Sequence, residues 1–154
     1  MRQVNGGRVI AGGLLAGLVM NLGHGLAEAF GMRAEMERTL GRLGLPPLGE
    51  AAMITMAVGA FVIGLTAVWI YAGIRPRYGA GAGTAVRAGA AVWVLACLFP
   101  HASLLACGVL APRLFLLSVI SDLVFVPLGT VAGAFVYREQ ESEAPSRGVV
   151  PALA

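Results

Sequence analysis

Charge is what this sequence has least of: Asp, Glu, Lys and Arg together make 12% of its 154 residues, about half the share of a soluble domain. Hydrophobic residues make 58%, and the mean hydropathy is +0.81. A chain this small has too much surface for its volume to hide so many apolar groups from water. A water-soluble globular fold is therefore excluded, and lipid is the expected solvent.

Lysine is missing altogether, and all eleven basic residues are arginine. A net charge of +3 with a pI near 9.4 would suit nucleic acid if the arginines formed a stripe. They are scattered between apolar blocks, so no nucleic-acid partner is expected. Cysteine is scarce too. Cys97 and Cys107 fall about 15 Å apart along a helix axis, beyond the roughly 6 Å between Cα atoms that a disulfide needs. They read as small buried hydrophobes. The alternating segments of a membrane β-barrel are absent, as is any strong metal-ligand spacing, so no cofactor is expected. The glycine-rich stretch 75–84 follows no strand and precedes no lysine, which rules out a phosphate loop. It reads as a turn, with Thr84 capping the next helix.

What the sequence does contain is four apolar blocks, 9–30, 53–74, 88–110 and 114–137, each near the length of about 20 residues that spans the hydrocarbon core. In lipid every backbone polar group must be paired within its segment, so such blocks are helices. The expected fold is all-α: a polytopic, antiparallel four-helix transmembrane bundle over residues 1–138, with a polar, proline-bearing tail at 139–154 that reads as disordered. Ala27-Glu28-Ala29 resembles a signal-peptide cleavage site, but the length of the run and Glu28 itself favour an uncleaved anchor. The short connection 111–113 implies a tight hairpin between the last two spans. Pro100 is expected to kink the third.

After the first span, Met32, Met36, Leu40 and Leu43 share one helical face, and Arg33, Glu35, Glu37, Arg38 and Arg42 cover the others. This pattern predicts a short amphipathic helix in the headgroup layer, stopped by Pro46 and Pro47. The competing reading is a solvated helix packed on the end of the bundle. Arg2, Arg8, Arg75, Arg77, Arg87, Arg138 and Arg147 lie on the side of both termini, against Arg33, Arg38, Arg42 and Arg113 opposite. The positive-inside rule then places both termini in the cytoplasm.

Polar side chains within the spans are costly, which makes them informative. Asn21, His24 and Glu28 lie within about 60° of one another around the first helix, and Gly13 and Gly17 continue that face as a small-xxx-small pair. The third span carries Cys97 and His101 one turn apart. The fourth carries Ser118, Ser121 and Asp122, then Gly129 and Gly133 as a second packing face. At 1.5 Å per residue, His24 falls about 9 Å, Asn21 and His101 about 14 Å and Asp122 about 12 Å below the outer helix ends, in one layer. This layer is expected to order the bundle through hydrogen bonds between helices. The alternatives are a proton-linked or small-ligand site and a metal or haem site. Met20, Met32, Met36, Met53 and Met56 cluster in the same half; they could suggest copper, but lipid-facing filler is the preferred reading.

Gly-Gly-Leu-Leu-Ala-Gly-Leu-Val-Met-Asn-Leu-Gly (12–23), Tyr71-Ala-Gly-Ile-Arg-Pro-Arg-Tyr78 with Thr84-Ala-Val-Arg-Ala-Gly-Ala-Ala-Val-Trp93, and Ala-Gly-Ala-Phe-Val-Tyr-Arg-Glu139 together resemble a group of small bacterial four-span membrane proteins of unknown function. The resemblance covers the spans and implies the fold and a bacterial cytoplasmic membrane, but no activity. Such proteins often carry glutamate where His24 stands, which argues against haem ligation there. The membrane-embedded glutamate pattern of small multidrug exporters is not present. A non-enzymatic structural or interaction protein is thus the leading expectation, with the lipid bilayer and a second copy of the chain as partners. A small transporter or proton-coupled carrier using His24, Glu28, His101 and Asp122 comes next, and a redox or metal-binding membrane protein third.

Overall fold

A computed structural model describes residues 5–137, and their regular structure is entirely helical. The tail 139–154, and with it Arg138 and Arg147, as well as Arg2, lie outside the described residues. Four helices are long and apolar enough to cross a membrane: Gly6–Ala29, Glu50–Tyr78, Ala82–Ala106 and Pro112–Val136. The chain is therefore read as a multi-pass membrane protein.

Helix α1 (Gly6–Ala29) starts where the Asn5 side chain accepts a hydrogen bond from the Arg8 amide at 3.2 Å, satisfying one of the donors that a helix start leaves open. Gly31, at φ +92°, turns the chain into α2 (Met32–Arg42); without a Cβ it adopts this left-handed conformation freely. Helix α3 (Glu50–Tyr78) outruns the predicted 53–74. It continues through Pro76 and stops at Gly79, whose amide bonds the Arg75 carbonyl at 2.9 Å.

The third span is composite: α4 (Ala82–Trp93), a widened turn at Val94–Leu98, and α5 (Phe99–Ala106). It begins and ends earlier than the predicted 88–110, so the connection to the fourth span is longer than the three residues expected. Thr84 does not cap α4. Gly81 holds that position, and the Thr84 hydroxyl donates to the Tyr78 carbonyl at 3.3 Å, tying the end of α3 to the start of α4. Pro112 opens α6 (Pro112–Val136), where its missing N–H costs nothing.

Small residues set the packing. Gly13 and Gly17 lie against Leu65 and Phe61 of α3, Gly12 against Gly133, and Gly129 against Ala16. A Cβ added to Gly64 would fall 2.5 Å from the Gly17 nitrogen and 2.6 Å from the Gly13 carbonyl oxygen. The four packing glycines read from the sequence are all buried. They work inside one chain, so these faces are no longer available to a second copy. On the opposite side of α1, Ile10, Leu14, Leu18, Leu22 and Leu26 recur every four residues and are all about half exposed or more. That stripe is what a lipid-facing surface requires.

Helix α2 does not hold its polar residues away from the bundle. Glu35 and Thr39 are buried. The Glu35 carboxylate accepts from Arg38 at 2.6 Å and from Arg113, in the first turn of α6, at 2.9 Å. Met32 and Met36 of the predicted apolar stripe are half-buried.

Gly64→Ala is expected to destabilise the bundle by about 2 kcal/mol, because two backbones must separate to admit the methyl group. Gly73→Ala, where a Cβ meets nothing within 4 Å, should gain up to about 1 kcal/mol from helix propensity. Thermal unfolding of the two variants in the same detergent checks the contrast.

Candidate functional site

Pro100 has no N–H to offer the Ala96 carbonyl, the usual partner four residues back. Just before it, the Phe99 amide bonds the Val94 carbonyl five residues back. A wide turn of this kind inside a helix is uncommon and often accompanies a functional site. Below the turn, the Trp93 indole donates to the Val119 carbonyl at 3.1 Å and holds the third span against α6. Beyond the turn, α5 packs on α6 and stands away from α3.

The space left between them is a cavity of about 480 Å³, partly open to its surroundings, with walls from α1, α2, α3, the third span and α6. All five polar residues singled out in the sequence line it. His24 Nε2 lies 3.0 Å from the Asp122 carboxylate, joining α1 to α6. Asp122 is buried, while the His24 side chain is 41% exposed, so the pair forms part of the wall and is not sealed within the core. Asn21 donates from Nδ2 to the carbonyl of Gly17 at 3.0 Å and to that of Ala57 on α3 at 3.2 Å. His101 Nδ1 donates to the carbonyl of Cys97 at 2.7 Å. Glu28 is exposed.

These groups share one cavity without forming one hydrogen-bonded network. Only His24 and Asp122 bond each other; Asn21 and His101 are held by backbone carbonyls. Cys97 and Ser118, both buried, add a thiol and a hydroxyl to the lining.

No family model, curated protein or solved structure matches this chain. The site is therefore read from its own chemistry.

The methionines read from the sequence as filler also belong to this region. Met20, Met32, Met36, Met53 and Met56 all line the cavity, and Met53 and Met56 are 41% and 49% exposed as well. Their spacing held the clue, since Met32 with Met36 and Met53 with Met56 each stack on one helical face. Among the described residues, no three His, Cys, Asp or Glu side chains are grouped to hold a metal ion.

A double-mutant cycle with His24→Ala and Asp122→Ala is expected to give a coupling energy of about 0.6 kcal/mol, the average for hydrogen bonds between membrane helices, and no more than about 1.7 kcal/mol. Unfolding of the four proteins in detergent measures it; a coupling indistinguishable from zero would mean that the two side chains do not meet.

Proposed function

We propose that this chain is a small ligand-binding protein of the bacterial cytoplasmic membrane, of the carrier type. Its four spans run antiparallel, both termini are cytoplasmic, and the cavity opens in the outer half of the bilayer. Helix α2 lies at the outer surface, where its apolar residues cover the cavity mouth and meet the headgroup layer. This reading agrees with the resemblance to small bacterial four-span proteins and with the excess of arginine on the side of the termini.

The observation that carries it is the cavity. Its volume of about 480 Å³ lies within the roughly 300–1,000 Å³ of small-ligand sites, and a mostly apolar wall with a few convergent polar groups is their usual composition. The wall is nonetheless held in place by bonds that satisfy one another, Asn21 to Ala57 and His24 to Asp122. That favours a second reading, in which the polar layer serves only to order the helices.

The two readings differ in whether water reaches the wall. In a chain carrying Cys97→Ser and Cys107→Ser, Ala57→Cys is expected to react with a charged, membrane-impermeant methanethiosulfonate applied to the outside of intact cells. Val58→Cys, one residue along on the exposed lipid-facing side of α3, should stay unmodified because the reagent does not partition into hydrocarbon. Silence at both positions would leave a dry wall and the ordering role alone.

A further inference from the structure

The walls of the cavity repeat one motif. Four helices each bring two soft donor side chains to it, one helical turn apart: Met20 and His24 on α1, Met32 and Met36 on α2, Met53 and Met56 on α3, and Cys97 and His101 on the third span. Residues at this spacing stand about 5–6 Å apart at Cβ on one helix face. Every described methionine and both histidines of the chain belong to the set.

The histidines are held as metal ligands are. A carbonyl oxygen only accepts, so the 2.7 Å contact from His101 Nδ1 to Cys97 puts the proton on that nitrogen. In the neutral ring this leaves Nε2 with a lone pair. His24 Nε2 is engaged by Asp122, leaving Nδ1. Each remaining nitrogen has no partner among the described residues. A ring fixed through one nitrogen by a carbonyl or carboxylate, with the other free, is the arrangement that orients metal-ligating histidine.

The lining also narrows the ligand. It contains no Phe, Tyr or Trp, so an organic cation finds no cation–π cage. Among the described residues, no grouping of three His, Cys, Asp or Glu side chains occurs, which leaves zinc and harder ions without their usual ligands. Thioethers, with imidazole or thiol beside them, suit a soft monovalent ion. Residue exposure falls across the set, from 49% at Met56 and 41% at Met53 to 3% at Cys97 and 1% at Met20. The set thus runs from the open side of the cavity to its floor.

We propose that the cavity binds a soft monovalent metal ion, Cu(I) in the cell, through methionine sulfur and histidine nitrogen. This rests on the reading of the cavity as a small-ligand site and names its ligand.

Ag(I), which has the same charge and ligand preference and no redox chemistry here, is the probe. The full chain carrying Cys107→Ser, which removes the exposed thiol, is purified in detergent and exposed to Ag(I) or Zn(II) in chloride-free buffer. Bound metal is then measured after desalting. Ag(I) should be retained stoichiometrically and Zn(II) should not. Met53→Leu with Met56→Leu, and separately Met32→Leu with Met36→Leu, keep the apolar volume and remove the sulfur. Each pair is expected to weaken Ag(I) binding about tenfold or more while the unfolding temperature without metal stays unchanged. His101→Ala should act in the same direction.

Failure to retain Ag(I), or binding that survives both methionine pairs and disappears only with Cys97→Ser, overturns the proposal. If the Ala57→Cys reaction shows a hydrated wall and Ag(I) is not retained, the cavity remains a ligand site for some other chemistry.

Discussion

The close approach of α1 to α3 and α6 is the contact on which the rest of the structure depends. Lipid tails are as apolar as leucine, so burial of apolar surface does not drive these helices together, and dispersion contacts between closely fitted backbones take its place. Gly12, Gly13, Ala16 and Gly17 make that fit possible, meeting Gly133, Leu65, Gly129 and Phe61 with no room for an added Cβ on any of the glycines. Further along the same face the residues are Met20, Asn21 and His24. With larger side chains at these positions, and with the wide turn at Val94–Leu98 separating α5 from α3, the bundle cannot close equally along its length. The cavity follows from that taper.

Much of this fold was legible in the sequence because hydrocarbon imposes simple rules. Length and hydropathy located the four spans to within a turn or two. The fixed rise per residue put His24 and Asp122 at matching depths, and the two meet at 3.0 Å. The partner of Asn21 was not legible, since any carbonyl on a neighbouring helix could have accepted its amide and only the rotation of α3 selects Ala57. The place of the methionines in the cavity wall was not legible for a related reason. A helical phase says which residues share a face, but not whether that face borders a gap between helices. Pro100 pointed to a kink, whereas the widened turn before it depends on which carbonyls the packing leaves for Phe99 to find.

Helix α2 packs on the bundle through polar residues that its apolar stripe did not single out. Its apolar stripe suggested a helix lying in the headgroup layer, and its most deeply buried residues are Thr39 and Glu35, at 4% and 7%. Two guanidinium groups make that burial tolerable. Arg38 and Arg113 both reach the carboxylate, so the charge is not left alone in a poorly solvated place. Because Arg113 belongs to α6, the same contact fixes the angle of α2 and with it the position of Met32 and Met36 beside the cavity. By contrast, Arg33, which lines the cavity, and Glu37, both about half exposed, form an ion pair that contributes little.

Magnitudes bear on why a membrane helix retains Asp122. An aspartate near the middle of a spanning helix costs about 2.5–3.5 kcal/mol on insertion scales. A hydrogen bond between membrane helices returns about 0.6 kcal/mol on average and about 1.7 at most. The bond to His24 therefore offsets only part of the cost. Apolar residues at both position 24 and position 122 would give a bundle at least as stable, just as buried ion pairs in soluble proteins are often replaced whole by apolar residues without loss. Ordering the helices is thus a weak reason for a charge at this depth, and small residues already order them. In the carrier reading proposed above, a cavity that admits water or a ligand lowers the desolvation cost of the carboxylate and gives it and its histidine a task that helix ordering alone does not.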